Sequence, residues 1–183
     1  MDIQGFFPTG VLFHQISNQL SNQIESLITP KLNKLTNNKT VNSDYNSNKI
    51  IELSEINELV NEINKCTEYF TKEIGTKPKP ITGHWTQDYL AGHSFGKHHH
   101  GRSLFSVVYW VRAKGQVGDL ILYDSNSFRG VWGDSSNSSP FSSNSISITP
   151  KKGMLIMFPG HLYHEVLPGG DDCIRTTIAF NIG

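Results

Sequence analysis

A mainly β fold, a sandwich or barrel of antiparallel strands behind a helical flank, is what this sequence predicts. Three observations predict it. Helical spacing of apolar residues is confined to the first 80 residues. From Ile81 onward, short runs rich in β-branched and aromatic residues alternate with turn signals. The chain has 183 residues, the length of one domain, with little room for two of full size. The expected organisation is therefore a single domain, 1–183, with a helical flank over 1–80 and a β core over 81–183.

Taken in order, residues 6–35 hold an apolar start and then beats at Leu20, Ile24, Leu27 and Ile28, the spacing of a short amphipathic helix. Pro30 should stop it, kink it or begin another turn. Residues 36–48 are dense in Asn, Ser and Thr and read as a surface loop. Ile56, Leu59, Val60, Ile63, Phe70 and Ile74 predict a second helix over 54–74, with Ser54 as N-cap and Gly75 as stop. Lys77-Pro78-Lys79-Pro80 is a stiff connector. Strands are expected at 81–89, 97–112, 119–123, 145–148, 154–158, 164–167 and 173–181. Residues 124–144 form an insertion rich in Ser and Asn that also carries Phe128, Trp132 and Phe141. Aromatics in a polar loop fit a lid or binding loop, or equally an exposed insertion pinned by its rings.

Composition narrows the function classes. Lys+Arg and Asp+Glu are 16 each, so the net charge is +0, and bulk attraction to nucleic-acid phosphate is not expected. Aromatic content of 10% argues against wholesale disorder. Cys66 and Cys173 form neither a disulfide framework nor a CxxC zinc site, so a reduced, cytoplasmic protein is the expectation. The opening MDIQGFFPTGVLF carries an acid and no basic residue before its apolar patch, a poor signal peptide. No apolar run approaches a membrane span.

Eight histidines carry the chemical interest. In Lys97-His98-His99-His100, a strand would put His98 and His100 on one face and His99 on the other. Two imidazoles so placed can reach one metal ion, with a third ligand drawn from elsewhere. The best source is Phe158-Pro159-Gly160-His161-Leu162-Tyr163-His164, where His164 opens a predicted strand and His161 sits in the turn before it. A solvated histidine run is the bland alternative. Eleven positions after His164 comes Arg175. Alternation puts Arg175, Thr177, Ala179 and Asn181 on one face of the last strand and the mostly apolar Ile174, Thr176, Ile178 and Phe180 on the other. A guanidinium inside a barrel is costly unless paired. A carboxylate ligand would pair it through two parallel hydrogen bonds, each worth about 1.5–3 kcal/mol, with Thr177 adding a hydroxyl. Asp171, Asp172 or Glu165 are the alternative partners.

Together these residues resemble the iron(II)- and 2-oxoglutarate-dependent oxygenases, and most of all a small phage and bacterial group of them. The likeness runs from Trp85 to Asn181, with a thin echo at Phe7-Pro8-Thr9. Its pieces are the strand His84-Trp85-Thr86-Gln87, the element His98-His99-His100-Gly101 and the strand Ser106-Val107-Val108-Tyr109. Then come Phe158-Pro159-Gly160-His161-Leu162-Tyr163-His164-Glu165-Val166 and Arg175-Thr176-Thr177-Ile178-Ala179-Phe180-Asn181. The chain departs from the pattern at Gly101, where Pro is usual, and at Val107, where Gly is usual. It departs most at His100, which stands where the superfamily has Asp or Glu.

The resemblance implies a double-stranded β-helix, a jelly-roll and cupin-like barrel with flanking N-terminal α-helices. It implies an enzyme that uses iron(II), 2-oxoglutarate and O2, releases succinate and CO2, and hydroxylates a small-molecule or peptide substrate. His98, His100 and His164 would be its metal ligands. His98 and His164 with a carboxylate such as Asp124 are the other set, and His161 and His99 are lesser candidates. Arg175 and Thr177 would meet the far carboxylate of 2-oxoglutarate, with Tyr109 and Ser106 also at the cosubstrate. Loop 124–144 and segment 92–97 are the expected substrate contacts. Two other classes compete: a three-histidine zinc enzyme, which gives Arg175 and Thr177 no role, and a non-catalytic cupin-like binding protein.

Overall fold

A computed structural model describes residues 9–36, 50–125 and 143–183. The expected loop over 36–48, the Phe7-Pro8 echo and the aromatics Phe128, Trp132 and Phe141 lie outside the described residues, apart from Thr36 at the end of a helix. The elements are β1 (Leu12–Gln15), α1 (Asn18–Thr36), a 3-10 turn (Leu53–Ile56), α2 (Asn57–Glu73), β2 (Ile81–Tyr89), β3 (Phe95–His98) and β4 (Phe105–Lys114). They continue as β5 (Leu120–Tyr123), β6 (Ser145–Ile148), β7 (Met154–Pro159), β8 (His164–Val166) and β9 (Ile174–Ile182).

The strands make two antiparallel sheets. The larger has the order β1-β7-β4-β9-β2 and the smaller β3-β8-β5-β6. This is the jelly-roll arrangement: consecutive strands cross between sheets and pair with partners distant in sequence.

Period-two alternation explains why the larger sheet has two apolar faces. On β4, Phe105, Val107, Tyr109 and Val111 point to the helices and join Ile24, Ile28, Leu59, Ile63 and Phe70 in one core. Val108 and Trp110 point the other way, into a second core with Leu120, Leu122, Phe158 and Leu162 between the sheets. The helices thus seal the outer face, and the gap between sheets is left for the site.

Four local expectations need correction. The predicted strand 97–112 is two strands, β3 and β4, in different sheets. A turn divides them, with the Ser103 amide donating to the His100 carbonyl at 2.8 Å. The helix predicted near Leu20–Ile28 runs on through Pro30 to Thr36. Burial of Ile24, Ile28 and Leu32 is worth about 1.5–3 kcal/mol each and outweighs the roughly 3 kcal/mol cost of an internal proline. Part of the apolar start is a strand, β1, paired with β7. Ser54 is not a helix cap: it lies inside the 3-10 turn, whose entry is fixed by the Glu52 amide donating to the Glu55 carboxylate at 2.9 Å.

Candidate metal centre and diacid cavity

His98 and His164 face each other as register partners on β3 and β8. Their rings lie 4.2 Å apart, centre to centre. His100 reaches them from the turn after β3, where its amide donates to the Gly160 carbonyl at 2.7 Å. Its ring is 5.1 Å from that of His98 and 5.2 Å from that of His164. One nitrogen from each of the three lies within 4.8 Å of the others, so the trio could hold a metal ion. The sequence expectation put His98 and His100 on one face of a strand; the two rings do converge, but only His98 is in a strand, and His100 comes from the turn after it.

Two of the rings have fixed tautomers. Nδ1 of His98 bonds the Gly96 carbonyl at 2.8 Å, and Nδ1 of His164 bonds that of Leu162 at 3.0 Å. A carbonyl only accepts, so each Nδ1 carries the proton and each Nε2 keeps a lone pair. Burial pushes the pKa of His164 down to about 3 and that of His100 to about 4, with the neighbouring histidines adding to the fall. Burial also lowers that of His98, against the opposing pull of its bond to Gly96. All three are neutral donors at pH 7, which suits a borderline divalent ion such as iron(II). Aromatic rings wall them in: Phe95 lies edge-on to His98 at 4.4 Å, Phe158 edge-on to His164 at 4.9 Å, and Trp85 stacks on His100 at 5.5 Å.

The other candidates stand apart. His99 is exposed, packs on Tyr163 at 4.7 Å and accepts from the Gly101 amide at 3.0 Å. His161 is exposed in its turn, and neither it nor Asp124 belongs to the cluster.

The same cavity, about 440 Å³, is lined by Arg175 and Thr177. Arg175 is 1% exposed. Nη1 donates to the carbonyls of Val117, Gly118 (2.9 Å) and Leu167 (3.2 Å), and Nη2 to that of His93 (3.3 Å). The guanidinium lies 4.1 Å over the Tyr89 ring. Among the described residues no acid pairs with it: Asp172 accepts from the Gln116 amide at 3.0 Å, and Glu165 from the Tyr123 hydroxyl. Its Nε has no partner. Desolvation lowers its pKa, yet a guanidinium stays charged in any protein. A buried cation held by carbonyl dipoles and a ring, with an N–H left over, could seat a carboxylate.

The alternation expected for β9 holds, since Arg175, Thr177, Ala179 and Asn181 all line the cavity. Ser106 lines it too, with a buried hydroxyl that has no partner. Tyr109 is corrected: it sits on the helix-facing side of β4, fully buried in the outer core, because it lies three positions on from Ser106 and an odd step changes faces. Sequence reasoning missed Gln87 and Tyr89, which line the cavity beside Trp85. Their signal was available as a period of two along the expected strand 81–89. Of the segment 92–97, Phe95 lines the cavity and the His93 carbonyl holds Arg175.

A jelly-roll with three converging imidazoles and a buried guanidinium in one cavity could hold a metal ion together with a carboxylate ligand. The chain belongs to the family described as "Putative 2OG-Fe(II) oxygenase", which it matches over residues 83–181. The enzymes of that family use iron(II), 2-oxoglutarate and O2, and this chain is one of its oxygenases. No curated protein matches the sequence. Among solved structures, the chain is similar to a Pseudomonas putida prolyl-4-hydroxylase, with TM-score 0.59 and 12% identity over 96% of this chain and 89% of that one. It is similar to a Trichoplax adhaerens prolyl hydroxylase in complex with a hypoxia inducible factor peptide fragment, with TM-score 0.57 and 14% identity over 95% and 84%. It is also similar to the α-ketoglutarate-dependent epimerase SnoN from nogalamycin biosynthesis, with TM-score 0.64 and 9% identity over 95% and 79%. At such identities these likenesses show the shared fold. No helix among the described residues is long and apolar enough to cross a membrane.

Proposed function

We propose that this oxygenase is a hydroxylase acting on a small-molecule or peptide substrate, with His98, His100 and His164 as its iron ligands and Arg175 and Thr177 as the seat of 2-oxoglutarate. The observation that carries the reading is the pairing, in one cavity, of three neutral imidazoles with a buried, acid-free guanidinium whose Nε has no partner. The donor set fits iron(II), and the guanidinium fits the far carboxylate of a five-carbon diacid. Bound together with O2, these groups supply decarboxylation of the cosubstrate to succinate and CO2 and oxidation of a substrate C–H bond.

The chain's own residues do the rest. The carbonyls of Gly96 and Leu162 hold Nδ1 of His98 and His164, so that each Nε2 would be free to take the ion. Arg175 fixes the diacid at one end, oriented by carbonyls from three separate segments, and Thr177 lies two residues along the same face. Trp85, Phe95 and Phe158 exclude water around the ligands. Hydroxylation is supported by the two prolyl hydroxylases of the same fold, and a peptide substrate by the fragment bound to one of them. The epimerase of that fold makes the outcome at the substrate carbon the point to measure.

Anaerobic addition of iron(II) and then 2-oxoglutarate should raise a weak visible charge-transfer band, and admission of O2 should release succinate. A zinc-selective site with no band would overturn the assignment.

A further inference from the structure

Among the described residues, the lining of the cavity contains no carboxylate. Arg175 is its fixed cation, and the remaining polar groups are imidazoles, hydroxyls and amides. The position where the superfamily places an acid is His100. An ion on three neutral nitrogens keeps both of its formal charges, and Arg175 adds a third. A dianionic cosubstrate cancels two of the three, which leaves one positive charge in a cavity walled mostly by aromatic and aliphatic side chains. Buried charge without a counter-charge is strongly disfavoured, so the loaded site has room electrostatically for one more anion.

Ser106 says where. It is 3% exposed, and its hydroxyl has no partner. On one side its strand neighbour is Phe158, whose ring packs on His164 at 4.9 Å. On the other side it is Asn181, six residues along β9 from Arg175, roughly 20 Å by strand geometry. The hydroxyl therefore sits at the histidine end and is out of reach of a carboxylate held by Arg175. It is a donor that needs a different acceptor.

Resting on the reading of His98, His100 and His164 as iron ligands, we infer that the cavity binds one monoanion in addition to 2-oxoglutarate, beside Ser106, and that the substrate supplies it as a carboxylate. The substrate class is then an organic acid or the carboxylate-bearing part of a larger molecule.

The test uses the whole protein loaded with cobalt(II), saturated with 2-oxoglutarate and kept without turnover, with the cobalt ligand-field spectrum as readout. Acetate and chloride are titrated separately into the wild type, His100→Asp and Ser106→Ala. Saturable acetate binding is expected in the wild type. It should weaken at least about tenfold in His100→Asp, where the variant carboxylate supplies the missing charge, and about threefold or more in Ser106→Ala, where one donor is lost. Response to chloride alone overturns the carboxylate assignment in favour of an inorganic anion. No response to either anion, or equal acetate affinity in wild type and both variants, overturns the inference while the iron reading stands. If cobalt and 2-oxoglutarate themselves fail to bind, both fall.

Discussion

In the proposed site Arg175 joins two roles in one side chain. It ties the carbonyls of Val117, Gly118, Leu167 and His93 together, and its unpartnered Nε would serve the ligand. Lysine would keep the charge but lose the planar fork. Arg175→Lys should therefore raise the dissociation constant for 2-oxoglutarate about 10- to 100-fold, the loss of a charge-assisted pair, with iron(II) affinity changed little. Calorimetric titrations of each ligand separate the two. His164→Ala should do the reverse at the metal, abolishing stoichiometric iron(II) binding, because two imidazoles and, among the described residues, no nearby acid remain. Metal analysis after anaerobic loading and desalting checks it, alongside a melt that shows the variant folded.

At this scale the sequence was most readable where alternation acts on one strand. Arg175 and Thr177 follow from a period of two along β9. Tyr109 did not follow, because a resemblance carries residue types and not faces; counting three steps from Ser106 would have turned it outward. His100 was found from its spacing although no strand holds it, since the turn that delivers it depends on a contact with Gly160, sixty positions away.

The elements are held by a few close approaches and one polar network. Gly118 has φ +59°, and a Cβ there would meet the carbonyl oxygens of Leu167 and Pro168. Its own carbonyl accepts from Arg175. Gly118→Ala should cost about 1–3 kcal/mol of stability from backbone strain and also weaken 2-oxoglutarate binding. Urea melts and the same calorimetry would show both losses in a single variant. Across β2, β4 and β9, Arg112 donates to Asp88 at 2.8 Å and to Thr176 at 2.7 Å, and the Thr176 hydroxyl donates to Asp88. Asp88→Ala leaves Arg112, largely buried with 17% side-chain exposure, without its acid. A loss of about 2–4 kcal/mol is expected by urea melt, with the cavity ligands unaffected. Strand existence was legible from β-rich runs and turn signals. The division of 97–112 was missed although Gly101-Arg102-Ser103 lies inside it as a turn signal; that turn lets the two halves join different sheets.

Among the described residues, two cores lie on either side of the larger sheet. Ile28 is fully buried in the one beneath the helices, away from the cavity. Ile28→Ala should cost about 2–5 kcal/mol by thermal or urea unfolding and leave the dissociation constant for 2-oxoglutarate unchanged. Equal losses of stability and ligand affinity would mean that the cores are coupled. The helical flank was legible as amphipathic spacing. The length of α1 was not, because Pro30 is outvoted only by packing partners that lie far along the chain.

The facing of His98 and His164 across β3 and β8 has a consequence for assembly of the smaller sheet. A slip of one residue between those strands would turn one ring away and leave the pocket short of a donor. If His98 and His164 hold an ion as proposed, it would act as a clasp that rewards one alignment and rejects the next. β3 and β8 are four and three residues long. Among the described residues β8 is also held by β5, whereas β3 pairs with β8 alone, so in the proposed site loading the ion should fix the register of β3 in particular.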